Sequence, residues 1–192
     1  MNFKNEFYRK LVHLGSAIIP ISYYYFFNRE ISLLILFCIS IFFIFIEMLR
    51  INNVFINKIF LKIFGLMIRK SEKNTFTGAT ISLISCFFLI LIFEKKIAVF
   101  SMLILCISDG FAAIIGKRWG KNKIFNKSFE GSLAFFLVSS IIGLLFLEIN
   151  ILGLLIVSII LTFSELIPSP INDNIIVPFS AASTISLYYI FI

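Results

Sequence analysis

The sequence lacks the short motifs that mark common metal-binding and nucleotide-binding folds. It has three cysteines, each alone in an apolar segment, so they form neither a C-x-x-C metal pair nor a readable disulfide framework. The stretch GKRWGKN at 116–122 has the wrong spacing for a P-loop and lacks its hydroxyl residue. The HRD and DFG segments of protein kinases are also missing. Both of those scaffolds are therefore excluded.

The sequence also lacks linkers, low-complexity tracts and internal repeats. Its polar segments have lengths typical of loops that join helices. This organisation predicts one integral domain that covers residues 1–192.

Apolar residues are abundant instead, at 60% of 192 residues with 25 Phe, whereas soluble domains contain about 45–50%. A soluble fold of this length could not hide so much apolar surface. One helical crossing needs about 17–25 apolar residues, and only helices satisfy their backbone in hydrocarbon without a closed barrel. The sequence predicts an all-α polytopic membrane protein with about seven transmembrane helices, and an amphipathic interfacial helix at 51–70. The predicted spans are 11–27, 31–49, 77–93, 97–116, 132–149, 151–167 and 175–191.

The net charge of +7 reflects membrane topology rather than a nucleic-acid partner, because the cations lie in short loops between apolar runs. With a cytosolic N terminus, all cations except Arg29, Lys95 and Lys96 lie inside, as the positive-inside rule requires. We therefore expect no nucleic-acid polymer as a partner. High usage of Ile, Phe, Asn and Lys suggests a bacterial genome rich in A and T, so we expect the bacterial inner membrane as the location.

The fourth predicted span carries a stripe of small residues behind an acid. Asp109, Ala112, Ala113, Gly116 and Gly120 are spaced by three and four residues and share one helix face. One interpretation is close approach by a nucleotide, with Asp109 holding magnesium, which commonly takes one or two carboxylates plus substrate phosphates. The alternative is helix packing through small residues, with Asp109 paired to a neighbouring cation. The depth of Asp109 in the span favours a functional role.

A second polar group precedes the fifth span. Lys127, Ser128, Glu130, Gly131 and Ser132 could together cradle a polyphosphate at a helix start. Alternatively, Ser128 or Glu130 caps the helix. The basic residues just before this group satisfy the positive-inside rule without any ligand, so no one of them alone indicates a site.

Further polar residues lie at the same side of the membrane. Arg9 and His13 share a helix face at i, i+4, which suits phosphate contact or proton handling. Glu47 and Arg50 are spaced for a local ion pair. Glu165 lies in apolar surroundings without a nearby cation in sequence, so it needs a tertiary partner or a metal.

The start of the last span shows a different pattern. Asp173 and Asn174 are placed to cap that helix, after the turn marked by Pro168 and Pro170.

Taken together, the unusual polar residues form one shared cytosolic layer. This clustering disfavours a transporter, in which polar residues lie near the middle of the bilayer.

These residues, in this order, resemble the integral-membrane family of dolichol, polyprenol and phytol kinases and the related CTP-dependent diacylglycerol kinases. The resemblance implies an all-helical enzyme that moves the γ-phosphate of CTP to the hydroxyl of a membrane isoprenoid alcohol, such as phytol, geranylgeraniol, polyprenol or dolichol, with a divalent metal. The similar elements are RKLVHLGS (9–16), EMLR (47–50), TGAT (77–80), SDGFAAIIGKRWGK (108–121), KSFEGSLAFF (127–136), SELIP (164–168) and DNIIVPF (173–179).

The stretch from Asp109 to Gly131 also resembles phosphatidate cytidylyltransferase, which makes CDP-diacylglycerol. That family typically ends with a glycine-histidine-glycine-glycine segment and a second acidic cluster, whereas this chain ends with SELIPSPINDNIIVPF. Cytidylyl transfer is therefore the alternative function.

The kinase interpretation assigns roles to particular residues. Asp109, with Glu130 or Asp173, is expected to hold magnesium on the triphosphate. Lys127 and one or more of Lys117, Arg118 and Lys121 are expected to contact phosphates. The hydroxyl proton is expected to pass to His13, Glu165 or Asp173. The other predicted nucleotide-binding residues are Arg9, Lys10, Gly116, Gly120, Ser128, Gly131 and Asn174.

Overall fold

Each long apolar run of the sequence forms helix, as backbone satisfaction in hydrocarbon requires. The computed structural model describes residues 3–191, apart from the side chains of residues 4, 70 and 71. Lys4 and Lys70, two of the expected cytosolic cations, thus have side chains outside the described part. The all-α prediction is confirmed. The helices are α1 (Phe3–Gly15), α2 (Ile18–Tyr25), α3 (Arg29–Asn52), α4 (Val54–Phe64), α5 (Gly78–Ile92), α6 (Lys95–Leu103), α7 (Asp109–Trp119), α8 (Phe129–Phe146), α9 (Ile151–Leu166) and α10 (Asp173–Phe191).

Four helical stretches in the described residues are long and apolar enough to cross a membrane: α3, the continuous helix from Lys95 to Trp119, α8 and α10. α5 and α9 are shorter apolar helices. Many large apolar side chains on α3, α8 and α9 are exposed, which is the pattern of lipid-facing surface. The chain is an integral membrane protein.

The continuous helix from Lys95 to Trp119 forms the centre of the protein. All of Ile97–Leu103 is buried, and α6 packs against α2, α5, α8 and α10. A π-helical turn, Ile104–Ser108, joins α6 to α7, and the N–H of Asp109 donates to the carbonyl of Ile104. π-turns inside α-helices occur frequently at functional sites. This turn places Asp109 at the start of α7, deep in the protein.

The first predicted span differs from the structure. Its helix begins earlier, at Phe3, and breaks between Gly15 and Ile18 into α1 and α2. The hydroxyl of Ser16 donates to the carbonyl of His13 at 2.5 Å. A serine hydroxyl that bonds to the backbone within a helix commonly bends or ends it.

The predicted interfacial helix at 51–70 is also shorter in the structure. α3 continues to Asn52, and Asn53 then adopts an extended conformation and caps α4, where its Oδ1 accepts from the N–H groups of Phe55 at 2.9 Å and Ile56 at 3.2 Å. α4 ends at Phe64, and a 3-10 turn occupies Lys70–Asn74. The prediction was wrong in its bounds because the side chain of Asn53 starts a new helix.

A short hairpin follows α7. Its two-residue strands, β1 (Lys123–Ile124) and β2 (Lys127–Ser128), pair antiparallel, and the turn contains Phe125 with φ of 52°. This hairpin returns the chain to the start of α8 beside α7. The stripe of small residues behind Asp109 and the polar group at 127–132 therefore become neighbours.

Candidate active site

A cavity of about 1150 Å³ opens where the ends of several helices meet the segment after α4. Of the described residues that line it, six are Lys or Arg and four are Asp or Glu, so the ionised cavity has a net positive charge that suits a polyanion. The charged lining residues are Lys10, Arg69, Lys73, Lys117, Lys123, Lys127, Glu6, Asp109, Glu165 and Asp173.

Asp109 lies at the inner end of this cavity and is paired with Lys10 of α1. The ammonium of Lys10 donates to Oδ2 of Asp109, and Lys10 is only 3% exposed. The Nε2 atom of His13 is 3.5 Å from the same oxygen. The alternative interpretation, a cation paired with Asp109, is thus confirmed. Residues 99 positions apart in sequence form this pair.

Lys127 occupies the centre of a second charged cluster. Its Nζ is 2.7 Å from Oε1 of Glu165 and 3.6 Å from Oδ2 of Asp173, and it also donates to the backbone carbonyl of Glu165. The expected tertiary partner of Glu165 is therefore Lys127. Oε2 of Glu165 is buried and has no hydrogen-bond partner among the described residues. An unpaired carboxylate oxygen beside a charged cavity is available to a ligand or a proton.

Three glycines and a serine form one wall of the cavity, where α7 meets α8. A Cβ on Gly116 would lie 2.8 Å from Oγ of Ser128, and a Cβ on Gly131 would lie 2.8 Å from the carbonyl oxygen of Ala112. A Cβ on Gly120 would lie 2.6 Å from the Cβ of Ser128. The packing interpretation of these glycines is confirmed. The three glycines also line the cavity, so backbone atoms form part of its surface.

The cap interpretation of Ser128 is confirmed as well, because its Oγ accepts from the N–H of Gly131 at 3.2 Å. Glu130 has a similar local role: its Oε1 accepts from the backbone N–H groups of Lys121 at 3.0 Å and Asn122 at 3.3 Å. Glu130 does not line the cavity in the described structure. It holds the loop that leads into the hairpin.

Comparison with known proteins shows clear relatives of this chain. Uncharacterized protein RP860 of Rickettsia prowazekii is 33% identical over 147 residues, which cover 75% of this chain and 72% of that protein. CTP-dependent diacylglycerol kinase 1 of Schizosaccharomyces pombe is 34% identical over 93 residues, covering 47% and 43%. Probable phytol kinase 3, chloroplastic, of Glycine max is 40% identical over 96 residues, covering 40% and 30%. The chain is therefore similar, over part of its length, to CTP-dependent diacylglycerol kinases and to a probable phytol kinase.

This chain spans less than half the length of the diacylglycerol kinase and the phytol kinase that it matches. The activity of this chain is therefore inferred from the residues that line its cavity. No family model matches the chain, and no solved structure matches it significantly.

The cavity contains only some of the residues predicted from sequence. Those that line it are Asp109, Lys127, Glu165, Asp173, Lys10, Lys117, Gly116, Gly120, Ser128 and Gly131. Those that lie outside its described lining are His13, Arg9, Arg118, Lys121, Glu130 and Asn174.

The residues outside the lining have other contacts. The guanidinium of Arg118 lies 5.6 Å from the ring centre of Phe3 and 5.2 Å from that of Trp119. Asn174 donates from Nδ2 to the carbonyl of Gly78 at 2.9 Å, which ties α10 to α5. It does not cap α10, because Oδ1 of Asn172 accepts from the N–H of Asn174 at 3.0 Å.

Arg9 donates to Oε1 of Glu6, one turn away on α1. Glu6 lines the cavity, so this contact holds Arg9 next to a lining residue.

Sequence reasoning missed three basic residues of the cavity, Arg69, Lys73 and Lys123. It counted them only as cytosolic cations. The N–H of Arg69 donates to Oε2 of Glu72 at 3.0 Å, and the carbonyl of Lys73 accepts from Nη1 of Arg50 at 2.8 Å. The available signal was the spacing R-x-x-E at 69–72, which resembles a capping arrangement.

The predicted ion pair of Glu47 and Arg50 is confirmed and is fully buried. Oε2 of Glu47 accepts from Nε of Arg50 at 2.9 Å and from Nη2 at 2.5 Å. The other oxygen accepts from Thr77 Oγ1 at 2.5 Å and Thr80 Oγ1 at 3.1 Å. Arg50 also donates to the carbonyls of Glu72 at 3.2 Å and Thr75 at 2.6 Å. The pair therefore fixes the segment that carries Arg69 and Lys73.

Proposed function

We propose that this chain is a single integral-membrane kinase domain that transfers the γ-phosphoryl group of CTP to the hydroxyl of a membrane isoprenoid alcohol. The observation that carries the proposal is the cavity in which Asp109, Lys127 and Glu165 meet a wall of glycines. Its size is sufficient for a nucleoside triphosphate, since ligand sites commonly occupy about 300–1000 Å³. The choice of CTP rests on the named relatives.

The proposed topology has seven crossings, with the N terminus and the cavity in the cytosol. α1 with α2 forms the first crossing, and α5 and α9 are two of the others. This arrangement places the cations of the cavity on the side where the positive-inside rule expects them. It also exposes the site to soluble nucleotide.

In the proposed complex, the basic residues contact the triphosphate. Lys117 and Lys127 line the cavity beside Gly116 and Gly131, whose close packing brings the two lysines to the same wall. Arg69 and Lys73 face them from the loop after α4. Phosphoryl transfer depends mainly on this positioning and on neutralisation of oxygen charge.

The proposed reaction is an in-line displacement. The alcohol oxygen forms a bond to the γ-phosphorus, and the bond from that phosphorus to the β,γ-bridging oxygen breaks, so CDP leaves with the bonding electrons. The hydroxyl proton passes to Oε2 of Glu165. Glu165 lines the cavity, whereas His13 lies outside its described lining with Nε2 3.5 Å from Asp109, and this placement supports Glu165 as the proton acceptor.

The carboxylates of Asp109 and Asp173 fit a magnesium ion that is bound mainly by the nucleotide. In the part of the chain that the structure describes, no group of three Asp, Glu, His or Cys side chains is arranged to hold a metal. Magnesium usually needs only one or two carboxylates plus substrate phosphates, and Asp109 and Asp173 face the same cavity. When bound, the ion would neutralise phosphate charge. Glu130, which caps the neighbouring loop, is not part of this proposed set.

The test uses membranes that contain the wild-type protein, γ-labelled CTP, magnesium and separate acceptors: phytol, geranylgeraniol, farnesol, undecaprenol, dolichol and diacylglycerol. We expect label in an isoprenoid alcohol. Asp109→Asn should abolish labelling while the protein still inserts. Because loss of the Lys10 partner could disturb folding, Asp173→Asn is tested in parallel, since that side chain is 40% exposed.

Two outcomes would contradict the proposal. Near-wild-type labelling by both variants would remove these carboxylates from the reaction. No labelled lipid from γ-labelled CTP, together with a labelled liponucleotide from α-labelled CTP and phosphatidate, would establish cytidylyl transfer instead.

A further inference from the structure

A second cavity, of about 590 Å³, adjoins the first and shares Arg69, Asn126, Lys127 and Asp173 with it. We name it the side groove. Away from the shared residues, much of its lining is apolar. Those apolar residues are Phe76, Ile81, Leu166, Ile167, Pro168, Pro170 and Ile171. The side groove therefore connects an apolar surface to the charged centre around Lys127.

The outer wall of the side groove has a defined shape. Phe76, Ile167 and Ile171 are 40%, 59% and 54% exposed, although the surrounding loops are held in place. Oγ of Ser169 accepts from the N–H of Ile171 at 3.1 Å, and two prolines restrict the same loop. On the opposite side, Arg50 holds the loop before Phe76. These large apolar side chains thus face the groove from fixed loops.

We propose that the side groove binds the hydroxyl end and the first part of the tail of the acceptor lipid. This inference rests on the proposed function. The acceptor lies in the bilayer, whereas the nucleotide comes from the cytosol, so the two substrates need separate entrances that meet at the reacting atoms. The side groove meets the first cavity at Lys127, whose ammonium contacts Glu165. Glu165 lines the first cavity and contacts Lys127, so an alcohol in the groove would place its hydroxyl at this junction, next to the proposed proton acceptor.

The lining favours an alcohol with a single apolar tail. Behind the terminal hydroxyl of such a lipid, every atom of the tail can contact the apolar wall. Diacylglycerol would bring two ester groups into the same space, where seven of the eleven lining residues outside the junction are apolar, so part of the ester surface would lose hydration without compensation. The side groove therefore selects for a single-tailed isoprenoid alcohol over diacylglycerol.

The test compares Ile171→Trp with Ile156→Trp in purified protein. Ile171 lines the side groove and is 54% exposed, whereas Ile156, on the outer face of α9, is 53% exposed and lines neither cavity. The indole ring introduced at position 171 is larger than the isoleucine side chain and should narrow the groove. We expect the KM for a geranylgeraniol acceptor in mixed micelles to rise at least fivefold in Ile171→Trp, with the KM for CTP unchanged. Ile156→Trp should match wild type.

A photoreactive farnesol analogue tests binding without turnover. After irradiation, we expect labelled peptides from the 166–173 loop and the start of α5, and competition by geranylgeraniol. Labelling elsewhere, or equal acceptor KM values in the two tryptophan variants, would overturn the side-groove proposal while leaving the kinase proposal intact. If wild type phosphorylates no lipid, the kinase proposal fails, and the labelled peptides still decide whether the groove binds lipid alcohols. Preferential phosphorylation of diacylglycerol would overturn the single-tail assignment.

Discussion

Two buried carboxylates of this protein, Glu47 and Glu165, have opposite surroundings. Glu47 uses both oxygens, one for Arg50 and one for the hydroxyls of Thr77 and Thr80. Glu165 uses one oxygen for Lys127, and its other oxygen is buried without a partner in the described structure. Both side chains are nearly inaccessible, at 2% and 5% exposure.

The difference separates a fully satisfied ion pair from one that keeps an unpartnered oxygen at a cavity. Burial of charge is tolerated when every polar atom is satisfied, as at Glu47. At Glu165 one oxygen lacks a partner in the described structure and the residue lines a large cavity, so that oxygen is available to a ligand or a proton. Glu47 and Arg50 accordingly hold a loop, whereas Glu165 and Lys127 line the cavity.

Arg50→Ala is expected to have the largest effect. Removing the guanidinium leaves Glu47 buried and frees three backbone carbonyls, and breaking a buried pair costs about 3–5 kcal/mol. Thermal unfolding in detergent should show a large loss of stability. The double variant Glu47→Leu with Arg50→Leu should recover part of that loss, because neither charge then remains unpaired. A double variant no more stable than Arg50→Ala would contradict the ion-pair explanation.

Glu165→Gln should instead affect turnover. The amide cannot accept the hydroxyl proton but keeps the size of the side chain, so we expect kcat to fall about a hundredfold, the lower end of what a positioned base contributes. The unfolding temperature should stay close to that of wild type. A variant that keeps kcat and loses stability would place Glu165 with Glu47 among the structural carboxylates.

Gly131→Ala tests how tightly the cavity wall is built. The added Cβ would lie 2.8 Å from the carbonyl oxygen of Ala112 and 3.1 Å from Cα of Gly116. Backbone atoms cannot move away cheaply, so we expect a loss of about 1–3 kcal/mol in stability. The matched control is Gly15→Ala, where a Cβ meets no atom within 4 Å in the described residues. Equal stability of the two variants would refute close packing.

Phe125→Gly should have the smallest effect, in the opposite direction. Phe125 has φ of 52°, a left-handed conformation that costs about 1–2 kcal/mol for residues other than glycine. Thermal unfolding should show a stability gain of about 1 kcal/mol or less, since glycine also loses more entropy on folding. Phe125→Ala removes the ring but keeps the strain, and a gain in that variant would attribute the effect to the exposed ring.

The sequence predicted the apolar helices and the local contacts well. The cap by Ser128 and the pair of Glu47 with Arg50 join residues three positions apart in sequence, so spacing alone indicates them. The break after Gly15 and the start of α4 at Val54 were missed, because single Ser and Asn side chains redirect the backbone inside apolar or mixed segments. The sequence also did not indicate the π-turn before Asp109.

The sequence alone determined that the chain is helical and membrane-embedded, because hydropathy and backbone satisfaction are local requirements. It also placed most of the charged residues near one end of the helices. Only the tertiary structure decided which of them meet: Lys10 with Asp109, and Lys127 with Glu165 and Asp173. These contacts join residues tens of positions apart, and packing between helices rather than any local pattern brings them together.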